Sequence, residues 1–132
     1  MTSNAQRVRA VYEAFGRGDL GPLTEVLDED VEWIEPDGAP GVGGVYHGRE
    51  SVFAEMFGRL PGVWDEFRVA PSTYIDAGEH VVVLGELSAV DPASGTPARA
   101  PFAHVWRFED GQAVWWRCFE DTAVLQGART GS

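Results

Sequence analysis

Three chemically different polar side chains lie close together near the C-terminal end of this sequence. His104, Arg117 and Asp121 belong to an alternating stretch, residues 102–121, that is otherwise rich in aromatic residues. A histidine can donate or carry a proton, an arginine can orient an anionic group, and a carboxylate can act as a base. Small-molecule sites are usually apolar with a few convergent polar groups. The segment therefore favours a small-molecule site.

The same stretch predicts a β-hairpin. Asp110 and Gly111 stand between two alternating runs, which indicates a two-residue turn with Glu109 opposite Gln112. In that register His104 faces Arg117. Because side chains alternate between the faces of a strand, one face is predicted to carry Phe102, His104, Trp106, Phe108, Ala113, Trp115, Arg117, Phe119 and Asp121. The opposite face carries Ala103, Val105, Arg107, Val114, Trp116, Cys118 and Glu120, which excludes a Cys118–His104 pair unless the register slips.

Each of these polar residues also has a purely structural interpretation. His104 could be a core histidine bonded to Asp121 or to a backbone carbonyl, since an inward histidine is costly without a partner. Asp121 could simply end the strand and cap the segment after it. Arg117 could form a salt bridge, which would lower the pKa of Asp121 and work against its use as a base.

Composition narrows the class of partner. A net charge of −11 on 132 residues argues against nucleic acid and against anionic membrane surfaces. The lone cysteine, Cys118, cannot form an internal disulfide, which fits a reducing compartment. Neither a signal peptide nor an apolar stretch long enough to span a bilayer is evident. Because the three histidines and Cys118 lack metal-ligand spacing, no metal site is predicted. We expect a cytoplasmic protein.

Helical spacing predicts three helices in the N-terminal half. Ser3 or Asn4 caps the first, Asp19 caps a short second helix, and the third starts near Arg49 and stops at Pro61. Their apolar stripes are Val8, Val11, Tyr12 and Phe15; Leu23, Val26 and Leu27; and Val52, Phe53, Met56, Phe57 and Leu60.

Strands follow these helices, apart from one early strand over residues 31–35 that places Trp33 and Glu35 on one face. From Trp64 onward the period is two, which predicts a strand over residues 67–76 interrupted at Pro71, a strand over 80–90, and the final hairpin. Helices followed by an antiparallel meander predict an α+β fold with the helices on one face of the sheet. We expect a single domain, residues 1–132, with 126–132 as a flexible tail.

Three stretches together resemble the SnoaL-like branch of the nuclear transport factor 2-like (NTF2-like), cystatin-like superfamily. They are YEAFGRGDLGPLTEVLDEDVEW (12–33), YHGRESV (46–52) and FAHVWRFEDGQAVWWRCFEDT (102–122). The superfamily also includes ketosteroid isomerases, polyketide cyclases and limonene epoxide hydrolases. The resemblance implies a cone in which three N-terminal helices pack on a strongly curved antiparallel sheet, with a hydrophobic pocket between.

The resemblance also implies roles for single residues. Glu35 precedes a proline and resembles the general base of ketosteroid isomerases, although it could equally be an exposed glutamate at a strand end. His104 stands where that family has a neutral carboxylic acid donor. The family's tyrosine donor falls on Val11, one residue before Tyr12. In SnoaL-like polyketide cyclases an acidic residue ending the last strand accompanies a histidine, and Asp121 and His104 resemble that pair.

These considerations lead to a functional hypothesis. The chain would be a small, cofactor-independent enzyme that performs general acid–base chemistry, either isomerisation or aldol-type cyclisation, on a hydrophobic carbonyl or polyketide-like compound. The predicted catalytic residues are Glu35, His104, Asp121 and Arg117, and the predicted pocket residues are Tyr12, Phe15, Trp33, Phe53, Trp106, Trp115 and Phe119.

Two alternatives stay open at this stage. One is a non-catalytic domain of the same fold that only binds a small molecule. The other is an epoxide-type hydrolase, for which Arg117 and Asp121 could supply part of an Asp-Arg-Asp set. Because the outer face of the hairpin also carries apolar residues, we further expect a homodimer formed through the outer face of the sheet.

Overall fold

The first two helices begin close to the predicted capping residues in the computed structural model, which describes residues 2–129. Helix α1 covers Asn4–Phe15. The Ser3 hydroxyl accepts a hydrogen bond from the Gln6 backbone N–H, and the Gln6 side chain accepts one from the Ser3 N–H, which completes a capping box. Helix α2 covers Gly21–Val26, and the Asp19 carboxylate accepts a hydrogen bond from the Gly21 N–H at its start.

The third helix, α3, contains an irregular middle. It consists of an α-helical turn, a π-helical segment and a second α-helical segment, with bounds Arg49–Ser51, Val52–Phe57 and Gly58–Val63. A π-helical segment rotates the residues that follow it relative to a regular helix, and such segments are frequent at functional sites. Within it Val52 and Met56 are buried, whereas Phe53 is half-buried and stacks on Phe57 with ring centroids 5.7 Å apart.

Six strands form a single curved, open sheet. The strands are β1 Leu27–Glu35, β2 Gly44–His47, β3 Asp65–Ala77, β4 His80–Val90, β5 Pro97–Glu109 and β6 Gln112–Glu120. Their order across the sheet is β2-β1-β6-β5-β4-β3. A register shift in β3 falls between Pro71 and Thr73, where the sequence predicts an interruption. The predicted α+β class is confirmed, but the sheet is not wholly antiparallel, because β1 and β6 pair in parallel.

The register predicted for the final hairpin is wrong beyond its turn. Asp110 and Gly111 have positive φ angles of 49° and 78°, and Glu109 pairs with Gln112 as predicted. Phe108 then pairs with Ala113, but Arg107 pairs with Trp115, so that Val114 is an extra residue in β6. A β-bulge of this kind moves every later side chain of its strand to the opposite face. His104 therefore pairs with Cys118 and not with Arg117.

The described part of the predicted flexible tail, residues 126–129, is helical. Helix α4 covers Thr122–Arg129 and begins after Asp121, whose carboxylate accepts a hydrogen bond from the Val124 N–H. Leu125 and Ala128 are buried. Arg129 donates hydrogen bonds to the Val63 carbonyl at 2.6 Å and to the buried Asp91 carboxylate at 3.2 Å, which ties the helix to the body of the protein. Residues 130–132 of the predicted tail lie outside the described residues.

The helices cover the inner face of the sheet and leave an apolar interior between the two layers. Helix α1 packs on β3 and β4, and α4 packs on β5. Alternate residues of β5 point into this interior, from Ala98 to Phe108. Among residues 2–129 no helix is both long and apolar enough to cross a membrane.

Candidate functional site

A cavity lies between the inner face of the sheet and the helices. It encloses about 800 Å³ of empty space, its open mouth included. Its walls come from all four helices, from the loop after β1 and from the inner faces of β1, β3, β4, β5 and β6. Most of the lining is apolar, and the polar side chains gather at one end, on β1, β5, β6 and α1. They are Tyr12, Glu35, His104, Cys118 and Glu120.

Six of the residues predicted for the site line this cavity. Two of them, Glu35 and His104, are predicted catalytic residues, and each is 8% exposed. The other four are Tyr12, Phe15, Trp33 and Trp106. Phe53 is not a lining residue, because the π-helical segment of α3 turns Phe57 toward the cavity in its place. The catalytic roles assigned to Glu35 and His104 stay predictions.

The remaining predicted residues lie outside the cavity because of the bulge at Val114. Arg117 and Phe119 are exposed on the outer face of β6, where the Arg117 guanidinium lies 4.9 Å from the centre of the Phe119 ring. Trp115 is half-buried on the same outer face. Asp121 is exposed and caps α4. The alternative structural interpretation of Asp121 is thus the one that the structure supports.

Two carboxyl groups, those of Glu35 and Glu120, lie at the polar end of the cavity, close enough for the charge of Glu120 to affect Glu35. Glu35 follows Ile34, which pairs with Arg117, so that Glu35 is level with Cys118 on the neighbouring parallel strand. Burial raises the pKa of Glu35 well above its ordinary value, and the negative charge of Glu120 raises it further. Burial likewise raises the pKa of Glu120. Two acids in this relation titrate as a coupled pair.

Cys118 donates a hydrogen bond to Glu120 and is affected by the charge of Glu35. Its thiol lies 3.2 Å from Glu120 Oε1 and donates to it, and the side chain is 2% exposed. Burial raises the pKa of the Cys118 thiol, and the charges of Glu35 and Glu120 raise it further. Since a thiol must ionise to act as a nucleophile, this thiol is suited to donate a hydrogen bond and not to attack a ligand.

His104 is held by aromatic neighbours and by one short hydrogen bond. Its Nδ1 lies 2.6 Å from the Tyr12 hydroxyl oxygen, and that oxygen also accepts a hydrogen bond of 3.2 Å from the Trp106 indole N–H. The His104 ring stacks on Phe102 with centroids 4.1 Å apart. Burial lowers the pKa of His104 to about 3 and raises the pKa of Tyr12 well above its ordinary value. Both groups are therefore neutral at pH 7.

These contacts assign the proton of the neutral histidine. If Nδ1 carried it, the Tyr12 hydroxyl would have to donate elsewhere, and no other acceptor for it occurs among residues 2–129. The Tyr12 O–H therefore donates to Nδ1, and the proton of His104 is on Nε2. The hydrogen bond that the His104 ring makes within the same range of residues is the one at Nδ1. The cavity thus contains a fixed neutral N–H donor near an acidic pair.

Three residues of β6 line the cavity although the sequence does not predict them as site residues: Trp116, Cys118 and Glu120. A bulge gives no local signal comparable to an Asp-Gly turn. One clue was available: the predicted register buries the guanidinium of Arg117 and exposes the small thiol of Cys118. The shifted register reverses both, which avoids the larger desolvation cost.

The chain matches a known domain family over most of its length. The model of the SnoaL-like domain family matches residues 8–116, a range that includes most of α1, all of α2 and α3, and most of the sheet. No curated protein matches the chain.

Several solved structures are similar over nearly the whole chain. An NTF2-like protein of unknown function from Burkholderia pseudomallei is 41% identical, with a TM-score of 0.90 over 98% of this chain and 99% of the other. An NTF2-like protein from Burkholderia thailandensis is 29% identical, with a TM-score of 0.91 over 97% and 98%. TerC, co-crystallized with polyporic acid, is 29% identical, with a TM-score of 0.86 over 96% and 98%.

Proposed function

Since the chain belongs to the SnoaL-like domain family, we propose that it is an enzyme performing general acid–base chemistry on a hydrophobic carbonyl compound bound in the cavity. Isomerisation and aldol-type cyclisation of a polyketide-like substrate are the concrete forms. No cofactor is needed for either reaction. The observation that carries the proposal is the buried carboxyl of Glu35, whose pKa is raised, beside a second acid in an apolar cavity.

In the proposed reaction the carboxyl pair supplies the base. Glu35 keeps its proton to a higher pH than Glu120, so that in its ionised form it is the stronger base, and in this form it removes a proton from the carbon next to the carbonyl. The C–H electrons move into the C–C bond, and the carbonyl π electrons move onto oxygen to give an enolate. Returning the proton from Glu35 to another carbon completes an isomerisation. In an aldol step the enolate carbon instead bonds to the carbon of a second carbonyl, whose π electrons move onto its oxygen, and that oxygen takes the proton from Glu35.

The reaction also requires a hydrogen-bond donor for the developing oxyanion, and His104 suits this role. Its Nε2–H is a donor that needs no reorganisation, and a positioned donor for a developing oxyanion typically contributes about 3–4 kcal/mol. The hydrolase alternative is less well supported, because Arg117 and Asp121 lie outside the cavity. Burial of Glu35, which is 8% exposed, favours catalysis over binding alone. TerC, co-crystallized with polyporic acid, supports a small-molecule ligand for this fold.

Proton exchange at carbon tests the proposal directly. We expect the protein to bind 2-tetralone and to accelerate exchange of its α-protons in D₂O, followed by NMR. Glu35→Gln should slow the exchange at least about 100-fold while leaving the Kd of the ketone similar. Glu32→Gln is the matched control, because Glu32 is on the same strand but does not line the cavity. Bound ketone that exchanges no faster than in buffer would refute the proposal.

A homodimer through the outer face of the sheet belongs to the same proposal. Four large apolar residues on the strands are more than a third exposed: Val45, Ile75, Leu84 and Phe119. Trp116 and Cys118, which the sequence assigned to that face, point into the cavity instead.

A further inference from the structure

Two buried indole N–H groups are without a hydrogen-bond partner. Among residues 2–129, Trp33 Nε1 and Trp116 Nε1 are the buried side-chain nitrogen or oxygen atoms of which this is true. Trp33 is 3% exposed and Trp116 is 4% exposed. An indole nitrogen can donate but not accept. Unpartnered buried donors are rare in native proteins because each loses its hydration without compensation.

Both indoles belong to the polar end of the cavity. Trp33 pairs with Trp116 across the parallel strands β1 and β6, and their rings stack with centroids 3.7 Å apart and an interplanar angle of 18°. The Trp33 indole approaches Glu35, and the Trp116 indole approaches Tyr12, closely enough for hydrogen-bond attraction to lower the pKa of each. Each N–H therefore lies near an acid of the cavity without reaching hydrogen-bond geometry.

The third indole at this end behaves differently. Trp106 donates to the Tyr12 hydroxyl and is fully satisfied. The packing of the cavity thus permits an indole N–H to find a partner, yet leaves two without one. Stacking of the two rings on each other helps to hold them in place.

We propose that the Trp33 and Trp116 N–H groups form an oxygen-binding subsite for the carbonyl oxygens of a neutral, flat ligand. The subsite rests on the proposed function, since it holds oxygen atoms of the same carbonyl compound. Within the described part of the chain, lysine and arginine are missing from the lining, which instead contains two carboxyl groups. A neutral carbonyl or enol oxygen therefore fits the subsite, whereas a carboxylate would be repelled. The aromatic walls fit a flat ligand.

A matched pair of ligands tests the subsite. 2-Tetralone and tetralin share a bicyclic skeleton and differ in the carbonyl oxygen. We expect wild type to bind the ketone about tenfold more tightly than the hydrocarbon. Trp33→Phe and Trp116→Phe, which keep an aromatic ring but remove the N–H, should each reduce that ratio about three- to tenfold. Trp115→Phe is the control, because Trp115 lies on the outer face of the same strand.

Spectroscopy gives a second measurement that does not depend on the variants folding well. The indole N–H resonances of Trp33 and Trp116 should move downfield in ¹H–¹⁵N spectra when 2-tetralone binds, and less when tetralin binds. Equal affinity of wild type for the two compounds, an unchanged ratio in both variants, or binding of neither compound would overturn the subsite. A preserved ketone preference without α-proton exchange would leave the subsite standing and refute the acid–base function alone.

Discussion

Burial shifts the pKa values of the acids and of the histidine in the cavity in opposite directions, because it disfavours the charged form of each. It raises the pKa of Glu35 and Glu120 and lowers the pKa of His104 to about 3. The histidine is therefore suited to donate a hydrogen bond, whereas a shuttle through a charged imidazolium is disfavoured. In the proposed reaction the carboxyl pair therefore transfers the proton, whereas the histidine donates a hydrogen bond.

Tyr12 has the position to decide which nitrogen of His104 carries the proton. Tyr12→Phe removes the donor to Nδ1 and the acceptor of the Trp106 N–H, so we expect a mixture of ring tautomers and a free energy of unfolding lower by about 1–3 kcal/mol. Long-range ¹H–¹⁵N correlation spectra of the ring measure the tautomer. Tyr74→Phe is the control, because the Tyr74 hydroxyl makes no side-chain hydrogen bond among residues 2–129. A pure Nε2–H tautomer in Tyr12→Phe would contradict the assignment.

At the scale of elements, the bulge in β6 decides which residues form the site. One extra residue, Val114, brings Trp116, Cys118 and Glu120 to the cavity and removes Trp115, Arg117 and Phe119 from it. Bulges often occur next to functional sites and re-aim side chains there. A shift of one position in β6 therefore exchanges the residues that line the cavity with those on the outer face of the sheet.

Thiol chemistry can check this assignment of faces. Arg117→Cys should give a protein in which one thiol reacts with a thiol reagent in the folded state and two react in denaturant. The expectation follows because position 117 is exposed, whereas Cys118 is 2% exposed and its thiol pKa is raised. Wild type, the control, should show no fast-reacting thiol until it unfolds. Fast labelling of Cys118 in folded wild type would favour the register that the sequence alone predicts.

The elements themselves were predictable because their signals are local. The Ser3 cap, the Asp110-Gly111 turn and the interruption at Pro71 each depend on a few adjacent residues, and all three occur in the structure. Glu35 was assigned to the site from the family resemblance and His104 from the alternation along β5, and the bulge in β6 changes the face of neither residue. Glu120 could not be placed, because its face depends on the pairing of β6 with β5. The helical tail was missed because α4 depends on distant partners such as Asp91.

For the molecule as a whole, ionisable groups have different effects at the surface and in the interior. The chain carries a net charge of −11, yet its cavity holds acids whose pKa values are raised and a histidine whose pKa is lowered. Surface charge favours solubility. The interior instead makes the free energy of unfolding depend on pH, because the folded and unfolded chains bind different numbers of protons.

The sign of that dependence differs between the two kinds of group. The stability that depends on neutral His104 is fully present above its ordinary pKa of 6.5 and is lost as pH falls toward about 3, at about 1.4 kcal/mol per pH unit for one proton. The stability that depends on protonated Glu35 is fully present below its ordinary pKa of 4.5 and is lost as pH rises toward its folded value. Glu120 acts in the same direction as Glu35. Because two carboxyl groups lose stability above 4.5 and one histidine loses it below 6.5, the free energy of unfolding should be largest near the lower of the two ordinary values.

Urea denaturation of wild type and Glu35→Gln over a range of pH tests this prediction. Because the glutamine cannot ionise, the free energy of unfolding of Glu35→Gln relative to wild type should rise steadily as pH increases above 4.5. Glu25→Gln, which alters an exposed glutamate, should stay within about 0.5 kcal/mol of wild type throughout. A difference between Glu35→Gln and wild type that does not change with pH would mean that Glu35 ionises as easily in the folded protein as in the unfolded chain. The base proposed for the reaction would then lack the perturbed environment on which its role depends.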